Sequence, residues 1–165
     1  MKLAFSTLGC PQWPIETILR CAVENGFDAV ELRGIENEMH LERTAAFSAA
    51  RRERTLAAFR ENHVALCVLG SSVSFHDPQS VQAHCAEAMD EIDLCAQLGI
   101  RYLRVFGDHI GSGDEKATLR QIAGAIRRLC AHAQGKQVDV LLEVHGDVNT
   151  IERLTDVIGV LNIYF

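Results

Sequence analysis

The stretch Val138-Asp139-Val140-Leu141-Leu142-Glu143-Val144-His145-Gly146-Asp147 decides how this chain is read. It is an apolar, β-rich run that ends in a carboxylate, an imidazole, a glycine and a second carboxylate. Successive side chains of a strand point to opposite faces, so Leu141, Glu143 and His145 share one face and Leu142 and Val144 the other. A carboxylate at the mouth of an apolar strand is costly to leave unpaired, and Glu143 therefore calls for a cation, a donor or a proton. Together with His145 it suits a divalent metal, with Zn, Mn, Co or Mg selected by the remaining ligands. The competing reading is an ordinary ion pair between Glu143 and a strand-end Arg, with His145 capping a loop.

Working outward, the same alternation of short β-rich runs and amphipathic helical stretches fills the chain. Strands are expected at Lys2–Ser6, Ala29–Leu32, Val64–Leu69, Tyr102–Phe106 and Val138–Glu143. After Pro14, residues Ile15, Ile18, Leu19, Ala22 and Val23 follow helical spacing up to Asn25-Gly26. A second helix is expected around Ala46–Asn62, with Arg51, Arg52 and Arg54 on a solvated face. A third carries Val81, Cys85, Ala88, Met89, Ile92, Cys95 and Ala96 as far as Gly99, with Pro78 in a first turn. Asp114 is a plausible N-cap for a fourth, whose stripe is Leu119, Ile122, Ala123, Ile126, Leu129, Cys130 and Ala133. The last, roughly Thr150–Val160, carries Ile151, Leu154, Ile158 and Leu161. The apolar run Val64–Leu69 suits a parallel strand covered on both faces.

Five such βα units imply an α/β fold with right-handed crossovers and a parallel sheet, in a single domain over residues 1–165. An open doubly wound sheet and an incomplete (β/α)8 barrel both use this unit. Strand count alone suits the open sheet, but no GxGxxG follows the first strand and no P-loop is present. In a barrel, chemistry gathers at the C-terminal ends of the strands. There the sequence places Glu31 and Arg33 after the second strand, and Ser71, Ser72, Ser74, His76 and Asp77 after the third. Asp108 and His109 follow the fourth, and Glu143, His145 and Asp147 close the fifth. Arg104, in mid-strand, needs a carboxylate, and Glu31 is a candidate. His76 and His109 can each reach a strand mouth or remain loop residues.

Composition narrows the classes. With 48% hydrophobic and 23% charged residues over 165 positions, this is globular protein rather than disorder or coiled coil. A formal charge of −6 disfavours nucleic acid and anionic membranes as electrostatic partners. No apolar run reaches the roughly 18 residues of a membrane span. Six dispersed cysteines without a CxxC fit a reducing compartment, and a cytoplasmic location is expected.

These residues resemble the xylose isomerase-like TIM barrels, the sugar phosphate isomerases and epimerases that share a superfamily with AP endonucleases. The motifs are Phe5-Ser6-Thr7-Leu8-Gly9-Cys10-Pro11, Gly26-Phe27-Asp28-Ala29-Val30-Glu31-Leu32-Arg33, Leu98-Gly99 with Leu103-Arg104-Val105-Phe106-Gly107, and Leu141-Leu142-Glu143-Val144-His145-Gly146-Asp147. The resemblance implies that Glu143 binds a divalent metal (Mn, Mg, Co or Zn) and moves a proton through an enediolate. It also implies that His145 binds a substrate hydroxyl, and that Trp13, in the first βα loop, walls a sugar face. Glu31, Arg33 and His109 are the other expected contacts to a small sugar or polyol substrate. In that family an Asp, a His and a second Glu from strands six to eight complete the metal, so the resemblance implies a barrel truncated after its fifth unit.

Two alternatives follow. An inactive truncated barrel would expose unpaired strand edges and is expected to form a homo-oligomer that covers the open side. An AP-endonuclease-like metal phosphodiesterase would use His76, His109 and Glu143 for zinc.

Overall fold

The computed structural model describes residues 1–111 and 113–161. Its elements are β1 (Ala4–Ser6), α1 (Ile15–Glu24), β2 (Ala29–Leu32), α2 (Arg52–Glu61), β3 (Ala65–Ser74), α3 (Val81–Leu98), β4 (Tyr102–Phe106), α4 (Glu115–Ala133), β5 (Asp139–Glu143) and α5 (Ile151–Leu161). The strands stand in the sheet in chain order. Among the described residues no helix is long and apolar enough to cross a membrane. The chain divides into two compact units, one of Met1–Gly70 with Leu94–Tyr102, the other of Ser71–Asp93 with the chain from Leu103 onward.

In the first unit β1 pairs in parallel with β2, Ala4 opposite Ala29, and β2 pairs in parallel with β3. The β2–β3 register slips between Val30, opposite Leu66, and Glu31, opposite Val68. Cys67 is the extra residue of that bulge, and its Sγ lies 3.4 Å from the Val30 carbonyl. Val30 and Leu32 are fully buried, as are Ile18 and Ala22 of α1, so the strand and the centre of the expected stripe form the core of this unit, while Leu19 is half-buried and Val23 exposed. α1 ends where the sequence predicts, with the Asn25 N–H on the Cys21 carbonyl and Gly26 in the left-handed region.

Two expectations move. The helix expected from Ala46 begins only at Arg52, because Thr44 and Ser48 hydroxyls donate back to the carbonyls of Leu41 and Ala45 and hold Leu41–Arg43 and Ala45–Phe47 in 3-10 turns. Thr55 of α2 then donates to the Ala46 carbonyl at 2.8 Å. The strand expected to stop at Leu69 runs on to Ser74, since Ser71, Val73 and Ser74 are buried while Ser72 is exposed. Small hydroxyl residues that read as loop chemistry here serve a strand. Leu66, Cys67 and Val68 are only half-buried, so the apolar run does not have both faces fully covered.

In the second unit the Asp114 side chain caps α4 by accepting from the Ala117 N–H at 3.1 Å. The buried stripe of α4 is the expected one except for Cys130, which is exposed. Pro78 lies before α3 rather than in its first turn; the Val81 N–H bonds to the Asp77 carbonyl at 3.0 Å. In α5 Val157 is buried and Ile151 is largely exposed, and the side chain of Leu161 lies outside the described residues. Leu103 and Val105 of β4 are fully buried.

The loops after β4 and β5 close on each other through two glycines. A Cβ on Gly107 would stand 2.8 Å from Cγ2 of the buried Val148, and one on Gly146, at φ +60°, would stand 2.8 Å from the Asp108 backbone oxygen. Gly146 can yield on neither count, since its neighbour is main chain and its conformation is one other residues rarely adopt. Gly146→Ala is expected to destabilise the fold by about 1–3 kcal/mol, lowering Tm by about 2–4 °C for each kcal/mol. Gly113→Ala, which meets nothing within 4 Å, is the neutral control in the same thermal melt.

Candidate functional site

The period of β4 buries Leu103 and Val105 and leaves Tyr102, Arg104 and Phe106 on the other face. A guanidinium in that place must be neutralised, because it stays ionised at any working pH. The second unit supplies three partners. Nε donates to Oε2 of Glu143 at 2.8 Å, Nη1 donates to the Ser71 carbonyl at 3.1 Å, and Cζ lies 4.3 Å from the centroid of Phe106. The Arg104 side chain is 12% exposed and the Glu143 side chain 42%. A fixed, largely buried cation thus presents a carboxylate whose outer half is open.

Phe106 carries a second ring. The imidazole of His145 lies 4.9 Å from it, tilted by 53°. The chain then turns through Gly146, and the Val148 N–H returns to the His145 carbonyl at 3.2 Å. The backbone of His145 thus closes a loop, the loop-capping reading, while its ring stands exposed beside the Arg104–Phe106 stack.

A separate polar group forms where the loops after β4 and β5 meet. The Asp147 N–H donates to the Asp108 carbonyl at 3.0 Å, and the Ile110 N–H donates to Asp147 Oδ2 at 3.0 Å. His109 stands between two carboxylates, 3.5 Å from Asp108 and 3.6 Å from Asp147, too long for hydrogen bonds but close enough for charge pairing once it is protonated. The Ile110 N–H bond, and after it the nearby charges of His109 and Arg153, hold the Asp147 carboxyl below the usual carboxylate range. Arg153 ties α5 into this corner through the Asp147 carbonyl at 2.7 Å and both oxygens of Glu115 at 2.9 and 3.2 Å. His76 meets His109 edge-on at 6.0 Å, and its Nδ1 is buried with no hydrogen-bond partner among the described residues.

The expected metal does not fit what is present. Among the described residues no three His, Cys, Asp or Glu side chains converge on a point that could hold an ion. Glu143 meets an arginine, the ion-pair alternative of the sequence reading, and His76, His109 and Glu143 do not form the zinc shell of the phosphodiesterase alternative. The physical reason is donor supply: the strand-five mouth offers one carboxylate, and its nearest strong partner is already a cation.

Trp13, Glu31 and Arg33 belong to the first unit. Trp13 lies in the loop before α1, where its carbonyl accepts from the Glu36 N–H at 3.2 Å, and Glu31 is half-buried on β2. The Arg33 and Gly34 N–H groups, just past β2, both donate to the hydroxyl of the fully buried Thr7, at 2.8 and 3.1 Å. That brace on the strand-two mouth was not foreseen, nor was the Arg153 tie. A buried Thr directly after a strand is a faint signal for the first, whereas nothing in sequence spacing selects Glu115 for Arg153.

A family model described as xylose isomerase-like TIM barrel matches residues 19–162. None of the curated proteins matches. Solved structures do. The probable 3-DHS dehydratase AsbF, involved in petrobactin synthesis in Bacillus anthracis, aligns with a TM-score of 0.77 at 17% identity, over 99% of this chain and 60% of that one. The IOLI protein, solved with a bound zinc atom, aligns at 0.76 and 18%, again over 99% and 60%. A D-psicose 3-epimerase from Clostridium cellulolyticum H10, solved with D-tagatose, aligns at 0.72 and 16%, over 98% and 60%. At these identities the likeness is one of fold: α/β, with strands and helices alternating as in part of a TIM barrel. The chain spans about 60% of the length of these structures.

The depressed carboxyl of Asp147 gives the loop corner a pH dependence of definite sign. A group held below its unfolded value adds stability above the usual carboxylate range and loses it as pH falls through the lower, folded value. Carboxyl NMR is expected to find Asp147 titrating below 3.8, with the Ile110 amide shift following the same curve. Asp147→Asn abolishes that titration; an Asp147 midpoint at or above 3.8 would refute the assignment.

Proposed function

The chain belongs to the xylose isomerase-like TIM-barrel family, and from that premise we propose that its second unit carries part of a site that moves a proton between adjacent carbons of a small sugar, sugar phosphate or polyol. The observation that carries the reading is the Arg104–Glu143 pair, a half-open carboxylate seated on a fixed cation at the end of β5. Such a carboxylate is suited to take a proton from a carbon next to a carbonyl, leaving an enediolate. Return of the proton to the neighbouring carbon, with the hydroxyl proton passing from one enediolate oxygen to the other, isomerises the sugar, and delivery of a proton from water to the opposite face of the same carbon epimerises it. Arg104 positions Glu143 through Nε, and His145, exposed at the same mouth, is placed to bind a substrate hydroxyl. The zinc held by one structural neighbour has no counterpart shell among the described residues, and no step is routed through a metal.

The test is solvent exchange at carbon. In D2O, free and phosphorylated ketohexoses incubated with the protein are expected to lose the proton adjacent to the carbonyl faster than in buffer, by proton NMR. General-base contributions are typically about 10²–10⁴-fold, and Glu143→Gln is expected to lose a factor of that order while keeping its circular dichroism. Exchange that is absent in the unsubstituted protein, or unchanged in the variant, would sink the reading.

One set of observations favours a second reading, in which the chain is a non-catalytic barrel segment that associates with a second copy of itself. β5 stands at one end of the strand order, Val140 and Leu142 are only half-buried, and Leu141 and Val144 are 39% and 56% exposed. An edge strand with exposed apolar side chains is a template for pairing. Sedimentation velocity at micromolar concentration is expected to show a dimer or larger species that Leu141→Lys dissociates. A monomer at all concentrations removes this alternative.

A further inference from the structure

Arg104 occupies the carboxylate to which the family resemblance assigns a metal, and the contacts that hold it make this more than a passing surface pair. The guanidinium is anchored on three sides, by the Ser71 carbonyl, the face of Phe106 and Oε2 of Glu143, and is largely buried. A long exposed Arg would swing away from an arriving cation; this one has its planar fork committed to main chain and ring as well as to the carboxylate. A divalent ion bound to either oxygen of Glu143 at a metal–oxygen distance of about 2.0–2.6 Å would come to lie within a few ångströms of a fixed positive charge. Like charges that close repel strongly in a partly desolvated place.

We propose that Arg104 is an internal cation that competes with divalent metal for Glu143, so that the carboxylate of this chain is metal-refractory while Arg104 is in place. The inference rests on the reading of Glu143 as the functional carboxylate of the site, but it concerns what that carboxylate binds and is independent of turnover. His145 stands exposed just past the same strand end, and Asp108 and Asp147 belong to the adjoining loop corner. The guanidinium therefore adds a charge penalty to a donor supply that is already limited to one carboxylate at this strand end.

Binding of Mn²⁺ alone, followed by water-proton relaxation at neutral pH, tests the proposal on the 165-residue protein. Arg104→Gln is expected to bind Mn²⁺ at least tenfold more tightly than the unsubstituted chain. Arg104→Lys, which retains the charge, is expected to remain as weak as the unsubstituted chain. The gain is expected to vanish in the double variant Arg104→Gln with Glu143→Gln. If Arg104→Gln does not fold by circular dichroism, Arg104→Met, which still covers Phe106, takes its place with the same outcomes. Equal Mn²⁺ affinity in the neutral variant and the unsubstituted chain would overturn the proposal, as would a gain that survives loss of Glu143 or one that appears equally in Arg104→Lys. Solvent exchange into ketohexoses fails or succeeds separately: a tenfold gain without exchange leaves the competition standing and removes the proton-transfer reading, and exchange without the gain does the reverse.

Discussion

A guanidinium placed in the middle of a β-strand is the constraint around which the second unit is arranged. Leu103 and Val105, on either side of Arg104, are fully buried, so β4 cannot slip by one residue without driving a permanent charge into the core. The register is thereby pinned, and the charge must be met where it stands. Ser71 on β3, Phe106 one step along the same face and Glu143 on β5 meet it. Each of these residues looks unremarkable alone. Together they fix the side-chain order of a strand mouth, because a charge-assisted bond at 2.8 Å tolerates little displacement.

Much of the fold was legible because it follows from period and punctuation. Strict alternation in Tyr102–Phe106, the stripe from Leu119 to Ala133 apart from the exposed Cys130, and the Asp114 cap appear where spacing alone puts them. What was not legible lay where side-chain hydroxyls act on the backbone. Thr44 and Ser48 turn an apparent helix start into 3-10 turns, and Ser71 to Ser74 extend a strand through residues whose composition reads as loop. In both places a local rule gave way to a contact with residues distant in sequence or to a hydrogen bond that composition does not announce.

The candidate site was legible as a set and illegible as pairings. The sequence singles out Arg104 in mid-strand and Glu143, His145, His109 and Asp147 at strand ends, which the structure puts in the second unit, whereas Trp13, Glu31 and Arg33 fall in the first. Which carboxylate meets Arg104 depends on the stagger of strands separated by a helix, and no local pattern encodes that. Glu143 was accordingly open to a metal or an arginine, and the arginine is the partner seen. His109 was equally open to ligand or loop, and the answer depends on Gly146, whose left-handed turn brings Asp147 back onto Asp108.

The two polar groups of the second unit differ in a way that bears on their roles. Around Arg104 the contacts are short, the cation is largely buried and a ring backs it, so the geometry of the pair is set by the fold itself. Charge fixed in this way needs no reorganisation when an opposite charge meets it. Around His109 the charged contacts are 3.5 Å or longer and the imidazole is 68% exposed, while backbone N–H groups bonded at 3.0 Å to the Asp108 carbonyl and to the Asp147 carboxylate hold the loop itself. The two groups thus differ in kind: the Arg104–Glu143 pair is a charge-assisted contact held by a largely buried cation, and the His109 corner is a loop junction closed through backbone donors.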